Sequence, residues 1–181
     1  IINLASASAS EIFSAAIQDY QRGIVIGSTT TGKGTAQVQL DSLAYGQATL
    51  TQRKFYRITG GSTQNKGVVP DTPLINIYDE ELGERKAKNA LKWDTIQTAP
   101  YVREGVVAPF ISQINQMSAT RTATEPQFKY LSALKKVADQ TKDRKQSSLN
   151  IDLRKKEIKQ LEAETLQAEN LRRTSTNLAP Y

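Results

Sequence analysis

Histidine and cysteine are both absent from this sequence of 181 residues. Without cysteine the chain has no disulfide framework, no thiolate nucleophile and no cysteine-ligated zinc site. Without histidine it lacks His-ligated metals and any Ser-His or Cys-His catalytic pair built from this chain. Acid–base chemistry would therefore fall to lysine, a carboxylate or tyrosine, and we expect no metal and no cofactor.

Long apolar runs are also missing. None approaches the roughly 20 residues of a membrane-spanning helix, so we expect no transmembrane segment. Apolar residues make up 38% and charged residues 23%, and the formal net charge is +6. This composition is typical of a packed core joined to a more polar region. The chain opens at Ile1-Ile2-Asn3-Leu4 like the end of a buried strand, so we expect a fragment that any targeting segment precedes.

Strand and helix signals alternate over the first half of the chain. Residues 12–20 have apolar positions at helical spacing, and the apolar run 24–26 between two glycines predicts a short buried strand. Residues 35–40 alternate between apolar and polar, and 48–59 is rich in Thr, Phe, Tyr and Ile, so both predict strands. The order of strand, helix and several strands predicts an α/β fold.

The character changes after about residue 80. A charged run over 80–92 and three further runs, 103–117, 126–142 and 152–173, predict a mostly helical region. We therefore predict two domains, residues 1–95 with the α/β pattern and residues 96–181 with the helices.

A glycine-bounded polar loop runs from Gly27 to Thr35 with the sequence GSTTTGKGT. It is close to the phosphate-binding P-loop, GxxxxGK followed by Ser or Thr, although Gly34 takes the last position. A P-loop leads into a helix whose N-terminal N–H groups bind phosphate. The alternating pattern after Lys33 predicts a strand instead, which disfavours a nucleotide kinase. A further interpretation is a loop with one solvated lysine.

Ser8 also has two interpretations. Ser8-Ala9-Ser10-Glu11 matches a capping box, in which Glu11 reaches back to the N–H of Ser8. A serine in that turn could equally be a nucleophile, because the helix N-terminus can hold an oxyanion, with the Ala9 N–H as the natural donor. Ser6 and Ser10 are as small and polar, so composition does not choose among the three.

A serine nucleophile needs a base, and with no histidine present lysine is the candidate. Free lysine is protonated at neutral pH, so this role requires a site that favours the neutral amine. A loop flanked by Gly32 and Gly34 could enclose Lys33 in this way. Gln37 lies on the same face of the following extended segment, where its amide would orient the amine without adding charge.

Residues 3–37 resemble the catalytic segment of the C-terminal processing peptidases, most closely the bacterial tail-specific proteases of the periplasm. The matching strings are Ser6 to Phe13, Gln18-Asp19-Tyr20, Gly32-Lys33-Gly34-Thr35 with Gln37, and later Lys54 to Arg57, Gly60 to Gln64, Lys66 to Val68, Pro70-Asp71 and Asn89 to Asp94. The family spacing implies that Ser8 is the nucleophile, Lys33 its base and Gln37 the partner of the lysine. Asp19 matches a family aspartate that we interpret as supporting the site structurally. Thr31 departs from the family, which usually has Phe there.

The resemblance implies a serine endopeptidase that degrades or trims proteins from unstructured, apolar C-terminal tails. It implies part of a crotonase-like mixed sheet followed by a helical region, with a PDZ domain and a second oxyanion donor supplied upstream. It further implies a periplasmic location, protein substrates, a lipoprotein adaptor and no nucleic-acid partner. We expect residues 1–181 alone to have little or no peptidase activity.

A different interpretation makes the chain a non-catalytic helical scaffold with a basic surface for nucleic acid or an acidic partner. Lys135-Lys136 and Arg154-Lys155-Lys156 are its candidates. Acidic residues interleave with them and few aromatics accompany them, which favours a solvated helix face.

Overall fold

The computed structural model describes residues 1–41, 43–77 and 83–181. The helices are α1 Ala9–Asp19, α2 Ala108–Thr124, α3 Pro126–Lys142 and α4 Ile151–Ser175. The strands are β1 Ile26–Gly27, β2 Thr35–Leu40, β3 Ala48–Lys54 and β4 Thr72–Pro73. The helix predicted over 80–92 begins outside the described residues, and its described part holds only one 3₁₀ turn, Glu84–Lys86. A mixed α/β part is therefore followed by helices, which confirms the predicted fold class.

The chain forms two compact units, Ile1–Asn115 and Gln116–Tyr181. The core of the first is built on short parallel segments. β1 pairs in parallel with β4, and Ile2 bridges Gly27 in the same sense. Ile2, Ala15, Val25 and Val68 are buried together, with Ile17 packed against them. One face of α1 thus covers the parallel segments and fixes the position of the helix.

Gly27 is required where these segments meet. Its φ is +133°, and a Cβ there would lie 1.8 Å from the carbonyl oxygen of Ile2. A side chain at this position would push the first residues of the chain away from β1. The predicted buried strand around residue 25 is present as the two residues of β1, and beside it Thr72 N and Leu74 N donate to Val25 O and Gly27 O.

β2 and β3 form an antiparallel hairpin whose register runs from Thr35↔Lys54 to Leu40↔Ala48, with an irregularity between Ala36 and Gln37. β2 has the bounds that the alternation predicted. β3 is shorter than the predicted 48–59, because the chain beyond it bonds elsewhere. Arg57 N donates to Gly61 O at 2.8 Å in a local turn.

Proline and asparagine set the helix bounds. Glu125 is extended before Pro126, with ψ 129°, as expected for a residue that precedes proline, so α2 and α3 are separate. Asn150 caps α4 by accepting the N–H groups of Asp152 and Leu153 at 2.9 and 3.2 Å. The prediction for α3 was correct, whereas α2 does not begin at residue 103. Gly105 N there donates to Tyr20 O, a tertiary contact that replaces the first helical turn.

The helices of the second unit carry paired charges. Lys135 contacts Asp139 at 3.0 Å and Arg144 contacts Glu157 at 2.8 Å. These pairs offset part of the basic surface that the scaffold interpretation relied on. In the described part of the chain, no helix is long and apolar enough to cross a membrane.

Candidate active site

Ser8 lies in the turn that joins the Ile2 bridge to α1, and it is the residue immediately before the helix. Its backbone angles are φ 54° and ψ −112°, a conformation that a side chain disfavours. Such a residue costs about 1–3 kcal/mol and persists only where its surroundings hold it, which is common at active sites. A strained strand-to-helix turn is also how hydrolases with a nucleophile elbow expose their serine.

The structure distinguishes Ser8 from the two neighbouring serines. Ser6 Oγ accepts the N–H of Asn3 at 3.1 Å, and Ser10 Oγ donates to Ala7 O at 2.7 Å. Neither has the positive φ of Ser8. Both hydroxyls therefore serve local turns, while the strained position belongs to Ser8.

Glu11 is completely buried, with 0% of its surface exposed, and its carboxylate joins the two parts of the site. Oε2 accepts the N–H of Ser8 at 2.9 Å and the N–H of Lys33 at 2.9 Å. Oε1 accepts the N–H of Gly32 at 2.7 Å and the Thr30 hydroxyl. Because the amide nitrogens of Ser8 and Lys33 contact one oxygen, they lie no farther apart than twice that 2.9 Å distance.

The sequence predicted the Ser8–Glu11 contact as part of a capping box, but it did not predict that Glu11 also binds the lysine loop. The residue types that this second contact requires are nevertheless visible in the sequence. An acidic residue in a first helical turn and a loop rich in Gly and Thr are complementary, since the loop supplies N–H and hydroxyl donors. Nothing in the sequence showed that the two would meet.

Residues 62–68 hold the other side of the lysine loop. Gly34 N donates to Oε1 of the buried Gln64 at 2.8 Å, and Asn65 N donates to Gly32 O at 2.8 Å. A Cβ on Gly34 would lie 2.6 Å from Gln64 N, so this approach requires glycine. The Lys33 side chain is half-buried in this loop. Among the described residues, no hydrogen bond joins Lys33 Nζ to Ser8 Oγ, and in unliganded enzymes such bonds commonly tighten only with substrate.

Ala9 is the first residue of α1, so its N–H has no acceptor within the helix. The next two amides are occupied, because Ser10 N donates to Ala7 O and Glu11 N to Ser8 O. In the described chain the Ala9 N–H is thus the free amide of the first turn. It lies directly after the strained serine, where an oxyanion donor is needed.

Gln37 lies on β2 and is exposed. Its Nε2 donates to Thr51 Oγ1 across the hairpin at 3.2 Å, so in this structure its amide nitrogen is not directed at Lys33. Its carbonyl oxygen Oε1 is the atom left to accept a hydrogen bond from the amine.

Asp19 is the last residue of α1, at the opposite end of the helix from Ser8. Arg57 binds it through two nitrogens, Nε to Oδ2 at 3.0 Å and Nη2 to Oδ1 at 2.5 Å. Arg57 Nη2 also donates to Gln18 Oε1 at 2.9 Å. The structure therefore places Asp19 away from the Ser8 hydroxyl, at the other end of α1.

The loop does not have the form of a P-loop. β2 begins at Thr35, directly after the lysine loop, where a P-loop would enter a helix. The N–H groups of Gly32, Lys33 and Gly34, which would hold phosphate oxygens, already bind the side chains of Glu11 and Gln64. Within the described ranges no group of three acidic, His or Cys residues could hold a metal ion.

Two family models match the chain. Residues 1–74 match peptidase family S41, and residues 77–181 match the C-terminal domain of tail specific protease. The second match alone covers more than half of the chain.

Curated relatives agree with these models. The chain is 44% identical over 169 residues to the "Tail-specific protease" of Haemophilus influenzae, and the matched region covers 87% of this chain and 24% of that protein. It is 37% identical over 99 residues to the "Carboxy-terminal-processing protease" of Bartonella bacilliformis, covering 51% of this chain and 23% of that protein. It is 36% identical over 76 residues to a "Probable CtpA-like serine protease" of Staphylococcus haemolyticus, covering 42% and 15%. The chain thus spans about a quarter or less of the length of these relatives.

Proposed function

This chain belongs to the tail-specific proteases of peptidase family S41, and we propose that it supplies the nucleophile and the base of a serine endopeptidase. Ser8 is the nucleophile and Lys33 is its general base. The chain contributes this dyad to a whole enzyme that also requires a PDZ domain and further parts of the protease platform.

The observation that carries this proposal is the shared carboxylate oxygen of Glu11. It holds the backbones of Ser8 and Lys33 side by side, each N–H at 2.9 Å from the same atom. A helix cap alone would require only the first contact, and a solvated loop lysine would require neither. The strained backbone of Ser8 supports the same assignment.

The reaction follows from these positions. The neutral Lys33 amine takes the proton of the Ser8 hydroxyl as Oγ attacks the peptide carbonyl, and the Ala9 N–H helps to hold the oxyanion. Lys33 then gives this proton to the leaving amine as the peptide bond breaks, which leaves an acyl-enzyme on Ser8. Lys33 then takes a proton from the water that attacks the acyl carbonyl, and it returns this proton to Ser8 Oγ as the carboxylic acid product leaves.

Gln37 and Asp19 have supporting roles in this proposal. Gln37 Oε1 accepts a hydrogen bond from the lysine amine and orients it without adding charge. Asp19 anchors the far end of α1 through Arg57, so that the helix presents Ser8 at a fixed place. We propose that residues 1–95 form the second half of the catalytic domain and that residues 96–181 form the helical domain.

The substrates we propose are proteins with unstructured, apolar C-terminal tails, cleaved in the bacterial periplasm. This proposal is supported by the family and by the names of the relatives, which refer to tails and to carboxy-terminal processing. We expect such an enzyme to have a lipoprotein adaptor as its partner and not to bind nucleic acid.

The test is tail cleavage by the full-length enzyme carrying Lys33→Ala or Ser8→Ala, with an unfolded protein that has an apolar C-terminus as substrate. We expect Ser8→Ala to abolish turnover and Lys33→Ala to reduce it by about 10²- to 10⁴-fold, the usual contribution of a general base. Lys88→Ala is the matched control, because Lys88 is exposed and lies outside the proposed site, and it should retain parental activity. Parental turnover in Lys33→Ala, with circular dichroism unchanged, would refute the dyad.

A further inference from the structure

The lysine loop is held from two sides, and each side fixes one of the two peptide groups next to Lys33. The peptide group before it carries the N–H of Lys33, which donates to Glu11 Oε2 at 2.9 Å. The peptide group after it carries the N–H of Gly34, which donates to Gln64 Oε1 at 2.8 Å. Because peptide groups are planar, their two orientations set the φ and ψ of Lys33. They therefore set the direction in which the lysine side chain leaves the backbone.

Gln64 is well placed to fix the second of these peptide groups. It is completely buried, with 0% of its surface exposed. Its own backbone is bonded on both sides, since Gln64 N donates to Ser62 Oγ at 3.0 Å and Lys66 N donates to Gln64 O at 2.8 Å. A buried side chain on a fixed backbone has little room to move, so its amide holds the Gly34 peptide group in one orientation.

The orientation of the Gln64 amide follows from its neighbours. A backbone N–H can only donate, so Gly34 N must face the carbonyl oxygen of the amide. Nε2 then faces Glu84 Oε1 at 3.2 Å, and a carboxylate oxygen accepts this hydrogen bond. Asn65 Oδ1, at 3.5 Å from Nε2, is too distant to compete. A carboxylate at position 64 would face the carboxylate of Glu84, and an apolar side chain would bind neither group, so the position suits glutamine.

Glu84 is itself bonded to the lysine loop. Its backbone N–H donates to Thr31 O at 2.9 Å, and its side chain is half-buried. Hydrogen bonds in series polarise one another, so the Glu84 carboxylate makes Gln64 Oε1 a stronger acceptor for Gly34 N. Glu84 thus acts on the loop twice, directly through its backbone and indirectly through the Gln64 amide.

We propose that Gln64 is a positioning residue for Lys33, and that Glu84 sets the orientation of the Gln64 amide. This inference rests on the proposed function, because it takes Lys33 as the base of Ser8. Without the Gln64 amide the Gly34 peptide group can rotate, and the amine moves away from the serine hydroxyl. A displacement of about 1 Å at a reacting group can cost about 100-fold in rate.

The first experiment replaces Gln64 in the full-length enzyme and measures tail cleavage of an unfolded protein. Gln64→Met keeps a side chain of similar size but loses the hydrogen bonds to Gly34 and Glu84. We expect kcat per folded enzyme to fall by about 10- to 100-fold. KM should stay at the parental value, because a buried residue does not touch the substrate and acts only on the chemical step. The folded fraction comes from circular dichroism.

A merely structural role of Gln64 predicts a different result. It would reduce the folded fraction or the midpoint of thermal unfolding, while each folded molecule would keep the parental kcat. That outcome overturns the proposal. If Gln64→Met does not fold, the Glu84 variants decide alone.

The second experiment changes Glu84 and leaves the buried glutamine in place. Glu84→Ala removes the acceptor of Nε2, and we expect kcat to fall by about 3- to 10-fold, the usual worth of one hydrogen bond. Glu84→Gln keeps an oxygen that can accept from Nε2, so it should restore most of the parental kcat. Glu104→Ala is the matched control, because the Glu104 side chain is 60% exposed and lies outside the proposed site. A parental kcat in Glu84→Ala would overturn the role of Glu84, and with an unfolded Gln64→Met it would overturn the whole proposal.

Failure of the proposed function gives a separate result. Turnover that survives Ser8→Ala or Lys33→Ala would remove the dyad, and the positioning role would fall with it. Turnover that depends on both members of the dyad, but not on Gln64 or Glu84, would refute the positioning role alone.

Discussion

Glu11 acts as an internal anion in this protein. Successive N–H groups of a Gly-rich loop commonly form a concave site for anions such as phosphate. Here the N–H groups of Gly32 and Lys33 bind a carboxylate from the same chain instead. The loop is thereby tied to the helix that begins after Ser8, and the resemblance of its sequence to a phosphate loop has a physical reason.

Replacing Glu11 with Ala should destabilise the protein and disable the site. Each buried N–H left without an acceptor costs about 1–3 kcal/mol, and the side chain accepts the buried N–H of Gly32 and the partly buried N–H groups of Ser8 and Lys33. We expect a clearly lower midpoint of thermal unfolding of the full-length enzyme, together with loss of tail cleavage. Glu11→Gln, which keeps one carbonyl oxygen as acceptor, should lie between Ala and the parent, and a parental midpoint for Glu11→Ala would contradict this role.

Helix α1 is held at both ends by charged side chains. Glu11 binds its first turn, and at its other end Asp19 meets Arg57. A carboxylate at a helix C-terminus is opposed by the helix dipole, so Asp19 requires a cation there. Only 7% of the Asp19 side chain and 21% of the Arg57 side chain are exposed, which makes this an anchor rather than a surface pair.

Breaking this anchor should therefore have a measurable cost. Removing one partner of a fully buried pair costs about 3–5 kcal/mol, and partial exposure of Arg57 reduces our expectation for Arg57→Ala to about 2 kcal/mol. A double-mutant cycle with Asp19→Asn in thermal or urea unfolding measures the coupling. Arg22→Ala is the control, because its pair with Glu104 is 63% and 60% exposed and should be worth little. Equal effects of Arg57→Ala and Arg22→Ala would argue against the anchor.

Another set of polar contacts holds the segment around Trp93 against Ser62 and the end of β3. Trp93 Nε1 donates to Ser62 O at 2.8 Å, and Lys54 Nζ contacts Asp94 Oδ1 at 2.7 Å. The hydrogen bond from Lys54 lowers the pKa of Asp94, burial opposes this, and the Tyr56 hydroxyl lowers it further. The ionised form of Asp94 therefore holds the segment in place.

This contact should be lost in acid. Since the pKa of folded Asp94 is lowered, its contribution to stability is present above the pKa of the unfolded state and is lost as the pH falls through the folded value. The change should therefore occur below about pH 3.9, the ordinary aspartate value. Trp93 is the single tryptophan, so its fluorescence in the chain of 181 residues reports the detachment. Asp94→Asn should remove this transition. An unchanged pH dependence of the fluorescence in that variant would show that another group causes the transition.

At the scale of the whole molecule, the chain has a mixed α/β part followed by a helical part. It covers 24% of the Haemophilus relative. We predict that residues 1–181 alone show little or no turnover of an unfolded protein with an apolar C-terminus, because the proposed function assigns substrate binding and a second oxyanion donor to other parts of the whole enzyme. The purified chain and its Ser8→Ala variant should show the same background rate of substrate turnover. Turnover that Ser8→Ala abolishes would show that this chain assembles a working site.

Local patterns predicted the elements whose residues interact mainly with each other. The alternation of Thr35–Leu40 gave the bounds of β2, and Pro126 gave the start of α3. The predictions failed where distant residues took over the backbone hydrogen bonds. Gly105 binds Tyr20 instead of starting a helix, and Arg57 turns toward Gly61 instead of extending β3.

The sequence by itself determined the chemistry that this protein has available. Because it contains no histidine, it left lysine as the candidate base for a serine, and the resemblance to the family predicted Ser8 and Lys33 as the pair. Only the tertiary structure decided how the two residues are held together and which serine is strained. Those properties depend on Glu11 contacting a loop far along the chain, and a contact between distant residues leaves no periodic pattern in the sequence.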